Sequence, residues 1–242
     1  MVVKSQIKLI RSLQQKKCRI AQKMFVVEGK KTVNELLASK MVVYKVFSTD
    51  ENYKNNIGEV CDLISDKELS QISSLKNPSS VLGVFYIPEP LKIDMEDWVV
   101  VLDDIRDPGN LGTIIRLCDW FGIKNLLCSA TTVDCYNPKV LQATMGSITR
   151  VNITYKDVSS FLRECNMPIY GTFMNGEVVY NQALPKKGVL VMGNEANGIS
   201  KNIENICTNK IAIPQFGKST TESLNVATAT SILLNEIRRG NF

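Results

Sequence analysis

Ser223 and Asn225 flank Leu224 where a helix begins, in the stretch TTESLNVA (residues 220–227). A hydroxyl and a carboxamide so placed can satisfy free backbone amides as a capping run, and the same groups can orient a ligand. Two other polar loops have residue types suited to chemistry. In DDIRDPGNLGTIIR (103–116) a turn and two glycines, Gly109 and Gly112, precede a helix, a setting for an anion or a close backbone approach. In VMGNEANGIS (191–200) an apolar run ends at Met192, and Gly193 and Gly198 frame Asn194, Glu195 and Asn197. Glu195 is the only acid there, and the loop reads either as a binding loop or as a solvent-facing turn.

The residue inventory removes several chemistries. The chain has no histidine, so it lacks the usual general base, the usual metal ligand and every Ser-His or Cys-His nucleophile pair. No G-x-G-x-x-G occurs. Gly217-Lys218-Ser219 imitates the end of a phosphate-binding loop, but Ala212 stands where that motif needs its first glycine and belongs to the preceding apolar run. Seven cysteines, an odd number with no C-x-x-C pair, read as reduced and mostly buried thiols of a cytoplasmic protein. No apolar run approaches the roughly 18 residues of a membrane span, and the N-terminus lacks a signal-peptide core.

The elements that must position these loops follow from periodicity. Val226, Ala229, Leu233 and Ile237, with Ile232 beside them, give a helix one buried face. Arg238 and Arg239 suit its negative end, and Gly240 suits a left-handed cap. Trp98 to Ile105 reads as a strand, 109–122 as a helix and 124–130 as a strand. The short apolar runs MPIYGTFM, GVLVMG and KIAIP are of the kind buried in a parallel sheet. Strand–helix alternation implies α/β layers with a site at the strands' carboxyl ends. Upstream, strands at MFVVEG, VVYKVFST and SVLGVFYIP alternate with helices over 29–39 and DKELSQIS, which makes a smaller α/β unit. The expected domains are 1–88, a proline- and acid-rich linker over 89–97, and 98–242.

Charge is uneven. The 242 residues carry a net +5, yet residues 1–31 hold nine basic side chains against Glu28 alone. That block of +8 leaves the rest of the chain at −3. With Ile7, Ile10, Leu13 and Ile20 as apolar anchors, it reads as a helical arm in which Lys16, Lys17 and Arg19 meet nucleic-acid phosphate, or as a solvated helical face.

The three loops together resemble the motifs of SpoU-type (TrmH-like) RNA 2′-O-ribose methyltransferases of the SPOUT superfamily. N-x-G-x-x-x-R appears as Asn110, Gly112 and Arg116. G-x-E-x-x-G appears as Gly193, Glu195 and Gly198. The I-P…S-L-N-V motif appears as Ile213, Pro214, Ser223, Leu224, Asn225 and Val226. YNPKVLQATMGSITRV (136–151) resembles the segment between the first two, and residues 4–87 resemble more loosely the substrate-binding domain of ribosomal-RNA members. Gln215 departs from the methionine many relatives carry after Ile-Pro.

The resemblance implies a mainly parallel α/β domain tied in a deep trefoil knot, an exception to the rule against knotted chains, preceded by a small α/β RNA-binding domain. It implies a homodimer, S-adenosylmethionine as cofactor with S-adenosylhomocysteine as product, no metal, and an RNA substrate, ribosomal RNA being favoured by the extra N-terminal domain and transfer RNA the alternative. Gly193, Ile213 and Leu224, with Thr172, Asn194 and Gln215, would line the cofactor pocket. Ser223 and Asn225 would orient the ribose hydroxyl. Arg116 would meet RNA phosphate and developing negative charge, with action as a base left open, Glu195 would pair with Arg116, and Asn110 would brace the loop or the RNA. Methylation of a base nitrogen would want a carboxylate base in the third motif, which offers serine and asparagine. A non-catalytic RNA-binding assembly factor would have no need of all five polar residues. No cysteine lies in the motifs to support a thiol mechanism.

Overall fold

The computed structural model describes residues 2–217 and 223–239. The expected capping residues Thr220, Thr221 and Glu222, the Lys218-Ser219 pair and the Gly240 cap lie outside the described residues.

In chain order the elements are α1 (Lys4–Ser12), α2 (Lys16–Gln22), β1 (Met24–Glu28), α3 (Lys30–Leu37), β2 (Val43–Ser48), α4 (Glu51–Ile57), β3 (Cys61–Leu63), α5 (Asp66–Ile72) and β4 (Val81–Tyr86). There follow β5 (Val99–Leu102), α6 (Pro108–Trp120), β6 (Asn125–Cys128), α7 (Pro138–Thr144), β7 (Asn152–Tyr155), α8 (Val158–Glu164), β8 (Ile169–Val178), β9 (Val189–Met192), α9 (Lys201–Glu204), β10 (Asn209–Ala212) and α10 (Val226–Arg239). None of these helices is long and apolar enough to cross a membrane.

Met1–Glu89 together with Asp134–Thr149 form one compact unit, and Pro90–Val133 with Arg150–Phe242 form the other. The first unit has a four-stranded sheet in the order β1-β4-β2-β3, with β4 antiparallel to both neighbours and β2 parallel to β3. Ile10 and Leu13 seal one face with Val26, Phe47, Leu69, Ile72 and Val84, and Ile7 packs at the margin. Ile20, expected as an anchor, is instead 62% exposed. It lies one position beyond Arg19, and the two cannot both face inward on a helix.

Residues 134–149 leave the C-terminal stretch of chain and complete the other face of this sheet. Tyr136 meets Phe25 at 4.6 Å between ring centroids, and α7 lies against β1. The excursion is fastened by Arg19, which is 2% exposed. Its Nε and Nη2 donate to Asp134 Oδ2 at 2.8 and 2.5 Å, and its Nη1 donates to the carbonyls of Leu13 and Gln14.

The second unit is a six-stranded, wholly parallel sheet in the order β10-β8-β9-β5-β6-β7. Every residue of β5, β6 and β9 is buried, which explains the unbroken apolar runs of β5 and β9 and the Leu-Leu-Cys of β6 after Asn125. The acidic segment before β5 is tied down. Leu91 exchanges backbone–side chain hydrogen bonds with Asn152, and Asp97 takes a two-pronged contact from Arg238 at 2.8 and 2.7 Å. Arg238 also donates to the Phe121 carbonyl, so it joins the end of α10 to the end of α6. Between Lys210 and Ile211 the β8–β10 register jumps from Gly171 to Glu177, leaving residues 172–176 of β8 unpaired with β10.

Candidate active site

In the second sheet the chain runs outward from β5 through β6 to β7, then returns on the other side with β9 against β5. The carboxyl ends of β5 and β9 therefore lie side by side at a topological switch point, where an open parallel sheet leaves a crevice. Leu102 pairs with Met192, and the two loops that follow are fastened to each other. The Asp103 amide donates to the Met192 carbonyl at 2.9 Å, the Ser200 amide donates to Asp103 Oδ2 at 2.7 Å, and Asn194 Nδ2 donates to the Asp104 carbonyl at 2.7 Å.

The loop after β9 folds tightly on itself. Asn194 and Gly198 exchange two backbone hydrogen bonds, and Asn194 Oδ1 accepts from the amides of Ala196 and Asn197. A Cβ on Gly193 would lie 2.3 Å from the Gly198 carbonyl carbon and the Ile199 nitrogen, so only glycine fits. This turn lifts Glu195 into solvent beside α6.

Helix α6 starts with Asp107 as cap, whose Oδ1 accepts from the Asn110 amide at 2.8 Å, and with Pro108 in its first turn. The cap presents the Asn110 side chain to both other motifs. Asn110 Nδ2 donates to Glu195 Oε1 at 2.7 Å, and Asn225 Nδ2 donates to Asn110 Oδ1 at 2.9 Å. Asn225 Oδ1 in turn caps α10, accepting from the Ala227 and Thr228 amides. Each amide uses its nitrogen and its oxygen, so the direction of the relay Asn225 to Asn110 to Glu195 is fixed.

The other expected residues are placed as follows. Ser223 and Leu224 are exposed beside Asn225, Leu224 at 49%; Gln215 is exposed, and Ile213, Gly193 and Thr172 are half-buried. Thr172 follows the Gly171–Val191 pair and so sits at the carboxyl edge next to β9. The Asn194 side chain is spent on bracing the two loops.

Two expectations are corrected. Glu195 bonds Asn110 rather than Arg116, and Arg116 is exposed with no hydrogen bond or ion pair among the described residues. Arg116 lies six residues beyond Asn110, about 9 Å along the helix and about 120° around it, so both cannot face one carboxylate. Arg19 is no phosphate ligand, because it is buried and engaged by Asp134 and two carbonyls. Lys16 and Lys17 are exposed on the same helix.

Sequence reasoning missed Asp103, Asp104 and Asp107 as the braces of the first motif. Their signal was available, since a pair of acids directly follows an all-buried strand and another acid precedes Pro-Gly at a helix start. The nearby thiols are not activated. Burial pushes Cys118 up to about 12 and Cys207 up to about 11. Among the described residues no group of three His, Cys, Asp or Glu side chains could hold a metal ion. What the crevice offers is neutral amides, backbone groups and carboxylates, Glu195 with Asp103, Asp104 and Asp107 on the loop after β5, a donor set that fits a cofactor carrying its own positive charge.

Comparison with known proteins bears directly on these loops. Residues 97–235 match the SpoU rRNA Methylase family, and residues 4–83 match the MRM3-like substrate binding domain. The chain is 29% identical over 236 residues, 94% of each chain, to the 23S rRNA (guanosine(2553)-2′-O)-methyltransferase RlmP of Bacillus subtilis. It is similar to a solved putative TrmH-family RNA methyltransferase of Porphyromonas gingivalis, with a TM-score of 0.91, 34% identity and 99% of each chain covered. It is also similar to an rRNA methyltransferase of Sinorhizobium meliloti solved with S-adenosylmethionine bound, with a TM-score of 0.86, 30% identity and coverage of 100% and 97%.

Proposed function

The chain belongs to the SpoU rRNA methylase family, and from that premise we infer that it transfers a methyl group from S-adenosylmethionine to a ribose 2′-hydroxyl of ribosomal RNA. The observation that carries this reading is the amide relay, which draws all three motif loops together at the switch point of the sheet.

When bound, S-adenosylmethionine supplies a methyl group on a sulfonium, open to in-line displacement. Gly193, Ile213 and Leu224, with Thr172 and Gln215, are the residues that would hold it. The difficulty left to the protein is the nucleophile, since a sugar hydroxyl is fully protonated at neutral pH and must be held about 3–3.5 Å from the carbon it attacks. Asn225 is rigid at both ends of its amide, and the Ser223 hydroxyl next to it makes no hydrogen bond among the described residues. Ser223 is thus the group with a free donor and acceptor to orient the ribose. Glu195 anchors the relay and keeps Asn110 and Asn225 in one orientation. Arg116 serves phosphate and the negative charge that develops on oxygen, for which an always-protonated guanidinium is suited.

The same reading includes the knot, the homodimer and a cytoplasmic location. A Cβ on Gly176 would lie 2.6 Å from the Ile211 backbone, so the chain around β10 passes β8 with no side chain between them, as a tight crossing requires. Thr113, Arg116 and Trp120 share the exposed face of α6, and Trp120 is 83% exposed, which suits a second copy. None of the seven cysteines forms a disulfide, which suits a reducing compartment.

The test is transfer of labelled methyl from S-adenosylmethionine to total RNA of a strain lacking the protein, followed by digestion to nucleosides. The expected result is label in one 2′-O-methylated nucleoside of ribosomal RNA. Label on a base, or confined to transfer RNA, would overturn the reaction or the substrate respectively.

A further inference from the structure

Arg19 is buried, charged and remote in sequence from every motif, yet the residue it holds is the immediate neighbour of a strand-end loop of the site. Asp134 Oδ2 receives Arg19 Nε and Nη2, and Asp134 Oδ1 receives the Tyr136 amide at 3.0 Å, so the carboxylate is held on both oxygens. Val133 precedes Asp134, and its amide donates to the Ile105 carbonyl at 2.8 Å. Its carbonyl accepts from the Tyr155 hydroxyl at 2.6 Å. Thr132 Oγ1 accepts from the Ile105 amide, and Ser129 Oγ accepts from the Asp104 amide at 2.9 Å. Asp104, at a left-handed φ of 61°, is the residue whose carbonyl fixes Asn194. An uninterrupted series of hydrogen bonds and one peptide link therefore runs from Arg19 to the loops that carry Asn110 and Glu195.

The helix at the start of this series also carries Lys16 and Lys17 on its exposed side. Burying a guanidinium is costly unless each donor is answered, and here Nε, Nη1 and Nη2 all are. Fastening an excursion of the chain alone needs no charge, since Phe25 against Tyr136 and α7 against β1 already provide apolar cover.

We propose that Arg19, acting through Asp134, is a positioning residue that couples RNA held on the first unit to the cofactor loops of the second. Binding of either ligand stiffens the 129–137 segment and the loop after β5, so each tightens the other. The proposal rests on the methyltransferase reading for the identity of the two ligands.

Its test uses the full chain, with S-adenosylhomocysteine and ribosomal RNA as probes. The affinity of each is measured alone and in the presence of the other, for the wild type, Asp134→Asn and Arg19→Lys. Asp134→Asn keeps the shape and the acceptor for Tyr136, and Arg19→Lys keeps the charge, so a folding defect in one leaves the other as the test. Reciprocity demands one coupling factor in both directions, expected at about fivefold or more in the wild type. Both variants should bring that factor close to one while each ligand alone binds within about twofold of wild type. A coupling factor unchanged in a folded variant would overturn the proposal. So would a wild type that binds the two probes independently, which leaves the methyltransferase reading intact. A wild type that binds no S-adenosylhomocysteine would instead remove that reading and the proposal with it.

Discussion

Helices α2 and α6 each carry an arginine, one in a basic stretch and one among apolar neighbours, and the two side chains are used in opposite ways. Arg19 is 2% exposed and all three of its nitrogens are engaged by the protein. Arg116 is exposed and unpaired among the described residues. A guanidinium already answered by carboxylate and carbonyls has nothing left to offer phosphate, whereas one with open donors loses only water when a ligand arrives. Arginine in a basic stretch is therefore no sign of a ligand site until its burial is known.

That contrast can be broken by experiment, and the largest effect is expected at Arg19. Arg19→Ala leaves Asp134 as an uncompensated, mostly buried charge and should cost about 3–5 kcal/mol in a denaturant titration. A loss below about 1 kcal/mol would return Arg19 to the solvent-facing class. Arg116→Ala should do the reverse. Stability should stay within about 0.5 kcal/mol, as for exposed positions without special features. Turnover should fall about 10²-fold or more if the guanidinium acts on developing charge. Near-normal turnover removes it from the site.

Lys17, exposed on α2 opposite Arg19, sharpens the comparison within one helix. Lys17→Ala should flatten the salt dependence of RNA binding by about 0.7–0.9 in the log–log slope if one phosphate contact is lost. An unchanged slope would mean that this face is merely solvated.

Arg238 is the intermediate case, half-buried on Asp97. Burial raises the Asp97 carboxyl, but the hydrogen bonds from Arg238 and the Trp98 amide outweigh it and hold the group below its ordinary 3.8. Because the folded value is the lower one, the pair stabilises the protein above pH ~3.8, and that contribution is lost as pH falls through the folded value. Asp97→Asn should melt at a lower temperature than wild type at pH 7, and the gap should close below that range. A gap independent of pH would mean that the carboxylate's charge is immaterial.

Much of the architecture was legible because strand interiors and helix stripes are local patterns. The all-buried strands β5 and β9 are unbroken apolar runs, β6 is apolar after Asn125, and α10 shows its spacing of three and four. Short elements escaped notice. β3 has three residues and α9 has four, too few for a period to show. The polar residues of the three motifs were also visible as types, and Asn110, Glu195 and Asn225 do meet.

By itself the sequence determined which segments are strands and helices, where the polar loops fall between them, and which side chains those loops carry. Only the tertiary structure decided the partners. Asn110 chooses Glu195 across 85 residues and Asn225 across 115, Arg19 chooses Asp134 across 115, and residues 134–149 desert their neighbours in the chain for another sheet. No local pattern encodes such choices. They are set by which ends of which strands the parallel topology brings together, and by the need of every buried polar group to find an answer there.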